Sequence, residues 1–340
     1  MKFSDFMTFA GGLALFLYGM YRMGEGLSRS AGKRMEAVLR RFTGSPCKAV
    51  LAGTIVTALI QSSSATTVMT VEFVESGIMS TEQAVGVIMG ANIGTTVTAW
   101  IIGISENEST KLFFRFLNPV TFAPMLALIG VGVLLFSHKE RIKNIASGLV
   151  GFSILIFGME TMSDAVSPIT EMPSFSALLV QLENPLRGML AGALFTAVVQ
   201  SSSASIGILQ ALSTTGTVTY RVAIPLIMGQ NIGTCMTALL SCIGAGKSAR
   251  QTAMVHLWFN VIGTGIFMLG YCGMFEIGKP VGAEFAWMSL PDSAADCIGI
   301  AVVHTVFNVA STIILLPGFI GVVGGQKRPR MSLKAPIRRF

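Results

Sequence analysis

Two stretches of this sequence, 139 residues apart, are closely similar. Leu51–Val68 reads LAGTIVTALIQSSSATTV, and Leu190–Gly207 reads LAGALFTAVVQSSSASIG. Ten of the 18 aligned positions are identical, and both stretches place the polar run Gln-Ser-Ser-Ser inside an apolar segment. Similarity at a fixed offset indicates that a structural unit has been duplicated.

A second pair of segments keeps the same offset. Ala84–Ile101 reads AVGVIMGANIGTTVTAWI, and Ala223–Leu240 reads AIPLIMGQNIGTCMTALL, again with ten identities in 18 positions. We therefore predict two homologous halves followed by a C-terminal segment. The predicted units are residues 1–139 with a QSSS hairpin at 49–75, residues 140–280 with a QSSS hairpin at 188–214, and residues 281–340 with a final transmembrane helix and a basic cytoplasmic tail.

The composition indicates a membrane protein. Of the 340 residues, 52% are hydrophobic and only 12% are charged, whereas a soluble domain is about 25% charged. Such a chain has too few charges to cover a soluble surface. This excludes a cytosolic enzyme, a disordered regulator and a nucleic-acid-binding domain as the first interpretation, and we expect an all-α polytopic membrane protein.

The basic residues predict the orientation, because Lys and Arg concentrate in cytoplasmic loops. Eighteen of the 24 lie in four segments, while the other loops are mostly acidic. This pattern is satisfied if the N-terminus is outside, the C-terminus is cytoplasmic and each QSSS segment dips into the membrane and returns. The basic segments are 22–48, 137–144, 244–251 and 327–339. The predicted crossings are 6–23, 84–104, 112–136, 145–162, 222–243, 252–272 and 297–322.

Each half then contains three transmembrane helices and one re-entrant helical hairpin, and a C-terminal helix follows the second half. An odd number of crossings makes the two halves inverted-topology repeats. Secondary transporters commonly have this architecture, with the substrate site near the midplane where the repeats meet. Paired closed hairpins favour such an occluded site over a continuous channel.

The QSSS runs are the first candidate site. Four consecutive polar residues in hydrocarbon are costly unless they have partners, and irregular backbone is tolerated at that depth only inside protein or beside a cavity. At a hairpin tip, the N–H groups that begin the returning helix attract anions, and Ser and Gln add uncharged donors. We predict that the two tips surround one tetrahedral oxyanion. The alternative is that these small polar residues only hold helices together.

The GxNIGT segments are the second candidate site. Gly90–Thr96 and Gly229–Cys235 place glycine and asparagine inside apolar crossings, a pattern that predicts local unwinding of the helix. Unwound carbonyls, Asn oxygens and Thr hydroxyls would be suitable ligands for Na⁺. The alternative is that the glycines only let two helices pack closely.

Other motifs give no sign of an enzyme. The chain contains neither a GxSxG nucleophile motif nor a Walker A motif, so we expect no serine-hydrolase chemistry and no ATP-driven step. His256 and His304 lie inside predicted crossings and fit hydrogen-bonded contacts between helices. They begin the similar segments HLWFN and HTVFN, so the last crossing resembles the one before it.

The five cysteines lack the spacing of a structural zinc site. Cys272 and Cys297 flank one predicted loop. Two interpretations stay open for them: a disulfide across that loop, or two apolar thiols.

The paired motifs resemble the sodium-dependent phosphate cotransporter family, which includes the type II cotransporters and the bacterial sodium/phosphate symporters. The resemblance covers about residues 6–272 and rests on the duplicated QSSS runs, each followed by GxNIGT. It implies Na⁺-driven phosphate uptake by alternating access, with both ions bound between the QSSS hairpins. No cofactor is expected, and Na⁺ serves as the coupling ion.

The resemblance also implies which residues bind the two ions, although the motif does not settle which oxygen serves which ion. The phosphate-binding residues would be Gln61, Ser62, Ser63, Ser64, Gln200, Ser201, Ser202 and Ser203. The Na⁺-binding residues would be Thr66, Asn92, Thr95, Asn231 and Thr234. The expected partners are phosphate, Na⁺ and the lipid bilayer of the cell membrane, without nucleic acid, and a homodimer stays open.

Two rival functions stay open. The same fold would suit another oxyanion, such as sulfate or arsenate, or coupling to H⁺. A membrane phosphate sensor, which binds phosphate without transporting it, belongs to a different class of protein. Inverted repeats favour transport over sensing because they serve alternating access.

Overall fold

The computed structural model describes residues 3–31, 38–39, 42–105, 119–170, 172–273 and 291–324. Within these ranges the chain forms twelve α-helices, and one isolated antiparallel bridge joins Thr219 to Ala294. The helices are α1 (Phe3–Ala31), α2 (Pro46–Ile60), α3 (Ser63–Glu75), α4 (Thr81–Ser105), α5 (Pro119–Phe136), α6 (Glu140–Thr170), α7 (Pro173–Leu182), α8 (Pro185–Val199), α9 (Ser202–Ser213), α10 (Tyr220–Ser241), α11 (Lys247–Cys272) and α12 (Cys297–Gly324).

Five described helices are long and apolar enough to cross a membrane, judged by length and composition. They are α4, the Glu140–Ala165 part of α6, α10, α11, and α12 as far as Val323. All five coincide with predicted crossings. The predicted crossing 6–23 lies within α1, and the described part of crossing 112–136 is α5, since residues 112–118 lie outside the described residues. The expectation of an all-helical, multi-pass protein is therefore confirmed for the described part of the chain.

Each predicted QSSS hairpin consists of two short helices. Gln61 and Ser62 separate α2 from α3, and Gln200 and Ser201 separate α8 from α9. The helix bounds follow the sequence offset, because α8 begins and ends 139 residues after α2. Both α2 and α8 begin with a proline that follows a capping side chain, a combination that favours a helix start.

The GxNIGT segments are fully helical, so the prediction that they unwind is wrong. α4 and α10 run through these segments without a break. Their glycines instead permit close helix packing. A Cβ at Gly90 would collide with the Val50 carbonyl of α2, and a Cβ at Gly229 would collide with the Met189 carbonyl of α8. The second interpretation of the motif, packing glycines, is the one that the structure supports.

The same packing device joins α1 to α6. A Cβ at Gly19 would meet the Leu155 backbone, and a Cβ at Gly158 would meet the Phe16 backbone.

The two helices that carry the GxNIGT segments, α4 and α10, each contact both α11 and α12. The polar residues of α4 and α10 thus lie between a broken helix pair and the α11–α12 pair.

Candidate functional site

Both QSSS runs turn the chain through the same uncommon backbone conformation. Gln61 and Gln200 have φ angles of 59° and 56°, and they are the only non-glycine residues with positive φ in the described part of the chain. The left-handed region costs an L-residue about 1–2 kcal/mol. Backbone strain of this kind clusters at functional sites, and here it recurs at the same motif position in both halves.

The serine after each glutamine caps a new helix. Ser62 Oγ accepts a hydrogen bond from the Ala65 N–H at 3.1 Å, and Ser201 Oγ accepts one from the Ala204 N–H at 3.2 Å. A capping hydroxyl accepts through its oxygen, so its hydrogen can still be donated to an anion. The positive end of each helix dipole adds to the attraction. Each turn therefore presents a helix N-terminus suited to an oxyanion.

Thr98 on α4 joins the two QSSS runs. Its Oγ1 donates to Gln61 Oε1 at 2.6 Å and lies 3.5 Å from Ser203 Oγ. Gln61 and Ser203 are 142 residues apart in sequence, so only the tertiary fold brings the two motifs together. Sequence reasoning did not single out Thr98. The repeat does mark this position, however, because Thr98 and Thr237 are identical at the offset of 139 residues.

The two turns have different environments. Gln61 is buried whereas Gln200 is exposed, and Ala65 is exposed whereas Ala204 is fully buried. The sequences of the two motifs are the same up to that alanine, so local sequence does not produce the difference. The packing of the whole molecule places the first glutamine inside and leaves the second one open.

Asn92, a predicted Na⁺ ligand, belongs to a buried polar cluster. Its Nδ2 donates to the Ile88 carbonyl of its own helix. Its Oδ1 therefore faces α11, where His256 Nε2 lies 3.4 Å away and Asn260 Nδ2 donates at 3.5 Å. We call Asn92, His256 and Asn260 the first triad.

The second GxNIGT asparagine has the same arrangement. Asn231 Nδ2 donates to the Ile227 carbonyl, His304 Nε2 lies 3.3 Å from Asn231 Oδ1, and Asn308 Nδ2 donates to that oxygen at 3.4 Å. We call Asn231, His304 and Asn308 the second triad. The weak similarity of HLWFN to HTVFN thus corresponds to equivalent contacts, as α11 holds the asparagine of one half and α12 that of the other.

The remaining predicted Na⁺ residues are buried threonines whose hydroxyls donate to carbonyls of their own helix or turn. The bonds run from Thr66 to Ser62 at 3.2 Å, from Thr95 to Ala91 at 3.0 Å and from Thr234 to Gln230 at 2.9 Å. Along α4, Asn92, Thr95 and Thr98 follow one another at three-residue spacing and so lie on neighbouring turns. The six residues from Asn92 to Thr98 span about 9 Å of helix.

Two buried glutamines near this region connect helices, and of the two only Gln230 lies within a segment that the sequence marks as a candidate site. Gln210 Nε2 donates to the carbonyls of Ala99 at 2.9 Å and Cys297 at 2.8 Å, and so ties α9 to α4 and α12. Gln230 Nε2 donates to the Ser205 carbonyl at 3.2 Å. Cys297 and Cys272 form no disulfide, and Cys297 Sγ donates to the Gln210 carbonyl at 3.4 Å.

An all-helical, multi-pass membrane protein whose duplicated polar turns are linked through the buried Thr98 has the organisation of a transporter of small ions. The profile of the Na⁺/Pi-cotransporter family matches residues 15–164 and again residues 154–290. The chain therefore belongs to this family, as the paired motifs indicated, and it is a transporter-family protein and not an enzyme.

The names of individual relatives differ, since one refers to phosphate export and another to sodium-dependent phosphate transport. "Uncharacterized protein YqeW" of Bacillus subtilis (strain 168) is 29% identical over 92% of this chain and 94% of its own length. "Putative inorganic phosphate export protein YjbB" of Escherichia coli (strain K12) is 27% identical over 90% of this chain, which spans about half (52%) of that relative. "Sodium-dependent phosphate transport protein 2A" of Rattus norvegicus is 30% identical over 51% of this chain and 27% of its own length. No solved structure matches the chain.

Proposed function

We propose that this protein is a secondary symporter in the cell membrane that uses inward Na⁺ flow to take up inorganic phosphate by alternating access. The observation that carries the proposal is the junction in which Thr98 links Gln61 of one QSSS turn to Ser203 of the other. Family membership supports phosphate as the substrate. The name of the rat relative supports dependence on sodium.

The broken helix pairs act as re-entrant hairpins in this proposal. At 1.5 Å per residue, α2 and α3 are about 22 Å and about 20 Å long, shorter than a hydrocarbon core of about 30 Å. Thr57 Oγ1 donates to Thr66 Oγ1 at 2.9 Å, although a continuous helix would separate these residues by about 13 Å. Ala49 and Phe73, near the other ends of the pair, share one hydrophobic cluster. These contacts support a chain that enters and returns on the same side.

The two halves are inverted repeats in this proposal, with the N-terminus outside and the C-terminus cytoplasmic. The repeated helix bounds and the double match of the family profile support duplication. The basic segments support the orientation. One half then opens the site to each side of the membrane in turn, as in other transporters built from inverted repeats.

Phosphate binds between the QSSS turns in this proposal, held by uncharged hydroxyl, amide and backbone donors. Na⁺ at Thr66, Asn92, Thr95, Asn231 and Thr234 offsets the charge of the anion in a low-dielectric interior. In the structure, the two asparagine oxygens accept from α11 and α12. These contacts hold the two asparagine side chains in the orientation in which they would bind sodium.

Net export is the second candidate, favoured by the name of the YjbB relatives. Purified protein in liposomes distinguishes the two directions when labelled phosphate and an imposed Na⁺ gradient are supplied. We expect phosphate to accumulate on the low-Na⁺ side and to follow the gradient when it is reversed. Phosphate movement that ignores Na⁺ would contradict the coupling, and Na⁺ moving opposite to phosphate would contradict symport.

The same liposomes test anion selectivity, coupling to H⁺ and sensing without transport. Sulfate and arsenate, each added in excess at fixed labelled phosphate, report anion selectivity, and weak inhibition by sulfate would support phosphate as the substrate. Replacement of the Na⁺ gradient by a pH gradient tests coupling to H⁺. Saturable phosphate binding without flux under all of these gradients would indicate a sensor.

A further inference from the structure

A groove separate from the QSSS turns lies where α11 begins and α12 ends. Its volume is about 490 Å³, and it is lined by the start of α4, the first turns of α11 and the last turns of α12. The residues predicted to bind phosphate and Na⁺ do not line it. Its chemistry therefore requires a separate explanation.

The polar end of the groove is positively charged. Lys247 is the first residue of α11, and Arg250 follows one turn later; both side chains are exposed and line the groove. No carboxylate of the described residues lines it. Arg250 Nε donates to the Ala245 carbonyl at 2.8 Å, which ties the guanidinium to the preceding loop. Since a guanidinium has five N–H donors, others can serve an anion.

The rest of the groove is apolar. Its floor includes Val255 and Phe319, which pack in one hydrophobic cluster. Its rim includes Met254, Trp258 and Val322, which are 36%, 50% and 70% exposed. Exposed apolar rims beside a buried apolar floor are typical of surfaces that contact lipid chains or another protein.

We propose that this groove binds one anionic phospholipid. The headgroup phosphate contacts Lys247 and Arg250, and an acyl chain runs along α11 towards Trp258. The eleven residues from Lys247 to Trp258 span about 16 Å of helix, close to half of a hydrocarbon core of about 30 Å, so the groove matches the depth of one leaflet.

Two cations beside an apolar groove favour an anionic phospholipid over a neutral lipid or free phosphate. A neutral or zwitterionic lipid would fill the apolar floor but would leave an excess of one positive charge, because the two cations have one neighbouring carboxylate, Glu75, whose Oε1 accepts from the Gly246 N–H at 3.3 Å. Free phosphate would satisfy the cations but not the exposed apolar rim. Basic pockets between membrane helices on the cytoplasmic side bind anionic headgroups, and segment 244–251 is predicted to be cytoplasmic from its charge.

Native mass spectrometry of the purified full chain tests the proposal. The protein is titrated in detergent with phosphatidylglycerol or phosphatidylcholine of the same acyl chains. The groove variant is Lys247→Ala with Arg250→Ala. The matched control is Lys139→Ala with Arg141→Ala, which removes the same charges from exposed positions around the start of α6.

We expect the wild type and the control to bind one phosphatidylglycerol at least fivefold more tightly than phosphatidylcholine, and the groove variant to lose this preference. Excess inorganic phosphate should not displace the lipid. Equal binding of the two lipids by the wild type, equal losses in both double variants, or displacement by free phosphate would each overturn the proposal. A melting temperature of the groove variant in detergent within a few degrees of the control shows that it is folded.

Discussion

At the scale of single residues, Ser62 and Ser201 combine a capping role with a proposed binding role. Replacing either by alanine removes a helix cap, worth about 1 kcal/mol, and one anion donor, whose hydrogen bond to a charged group is worth about 1.5–3 kcal/mol. We expect phosphate affinity to fall about tenfold or more, since 1.4 kcal/mol corresponds to a factor of ten. Isothermal titration of phosphate into the purified variants measures the loss.

Ser45→Ala separates the two roles of these serines. Ser45 caps α2 through a hydrogen bond from the Lys48 N–H but lies outside the QSSS runs. We expect a lower melting temperature with unchanged phosphate affinity. If Ser45→Ala weakened phosphate binding as much as Ser62→Ala, capping alone would account for the effect and the site would have to lie elsewhere.

Thr98 offers a second prediction, about the junction of the motifs. Thr98→Val keeps the shape of the side chain but removes the hydroxyl that donates to Gln61 and lies near Ser203. We expect phosphate affinity to fall by about tenfold, the equivalent of one net hydrogen bond of about 1.4 kcal/mol, and Thr98→Ser to restore most of it. Thr161→Val is the control, because Thr161 donates to its own helix on α6. Unchanged affinity in Thr98→Val would remove the junction from the site.

The residue scale also shows what the sequence can predict. The glutamines and serines are predictable because a polar run in an apolar segment is costly and is duplicated. The repeat marks the position of Thr98 but not its role, because threonine commonly donates to its own helix in apolar segments and only the fold places Gln61 beside it. The partners of Asn92 and Asn231 lie on other helices, so no local pattern identifies them.

At the scale of helices, the glycines of α4 and α10 fix the distance to α2 and α8. In Gly90→Ala or Gly229→Ala, the new Cβ would meet a backbone carbonyl, which side-chain motion cannot relieve. We expect each variant to lose about 1–3 kcal/mol of stability, as overpacked cores do. Gly132→Ala on α5 is the control, because nothing lies within 4 Å of its Cβ position and alanine favours the helix. Thermal unfolding in detergent measures all three, and equal melting temperatures would contradict close packing.

The triads predict how α11 and α12 act on α4 and α10. His256→Leu removes the ring nitrogen that lies near Asn92 Oδ1, and His304→Leu does the same at Asn231. We expect the Na⁺ concentration for half-maximal uptake to rise severalfold with little change in the KM for phosphate. A glutamine at either position keeps an N–H donor and should restore part of the loss. His138→Leu, at an exposed position before α6, should change neither value.

A uniform loss of activity in the two leucine variants, with both constants unchanged, would show that the triads serve only folding.

The packing of helices also explains why the predicted unwinding of the GxNIGT segments is wrong. Glycine and asparagine within an apolar helix fit two structures, an unwound site or a close contact, and the sequence of that helix alone does not distinguish them. The deciding surface, the backbone of α2 or α8, lies in another part of the chain.

At the scale of the whole molecule, two nearly identical motifs occupy different environments. The duplication and the broken helices are predictable because they rest on local patterns and a fixed offset. The asymmetry is not, since equal sequences predict equal surroundings. It arises because α9 of the second motif is packed against α1, where Phe16 lies against Gly207, and Ala204 is fully buried. Ala65, at the equivalent position of the first motif, is exposed.

Alternating access between inverted repeats requires such environments to exchange, which gives the last prediction. In a background with the exposed Cys47 replaced by serine, Ala65→Cys should react quickly with a water-soluble maleimide and Ala204→Cys slowly. Saturating Na⁺ and phosphate together should slow the first reaction and speed the second, because the loaded protein samples both states. Sodium or phosphate alone should have a smaller effect. Rates that stay unchanged under every condition would show that the asymmetry is fixed, and the two turns would then be a static binding site instead of two halves of a transport cycle.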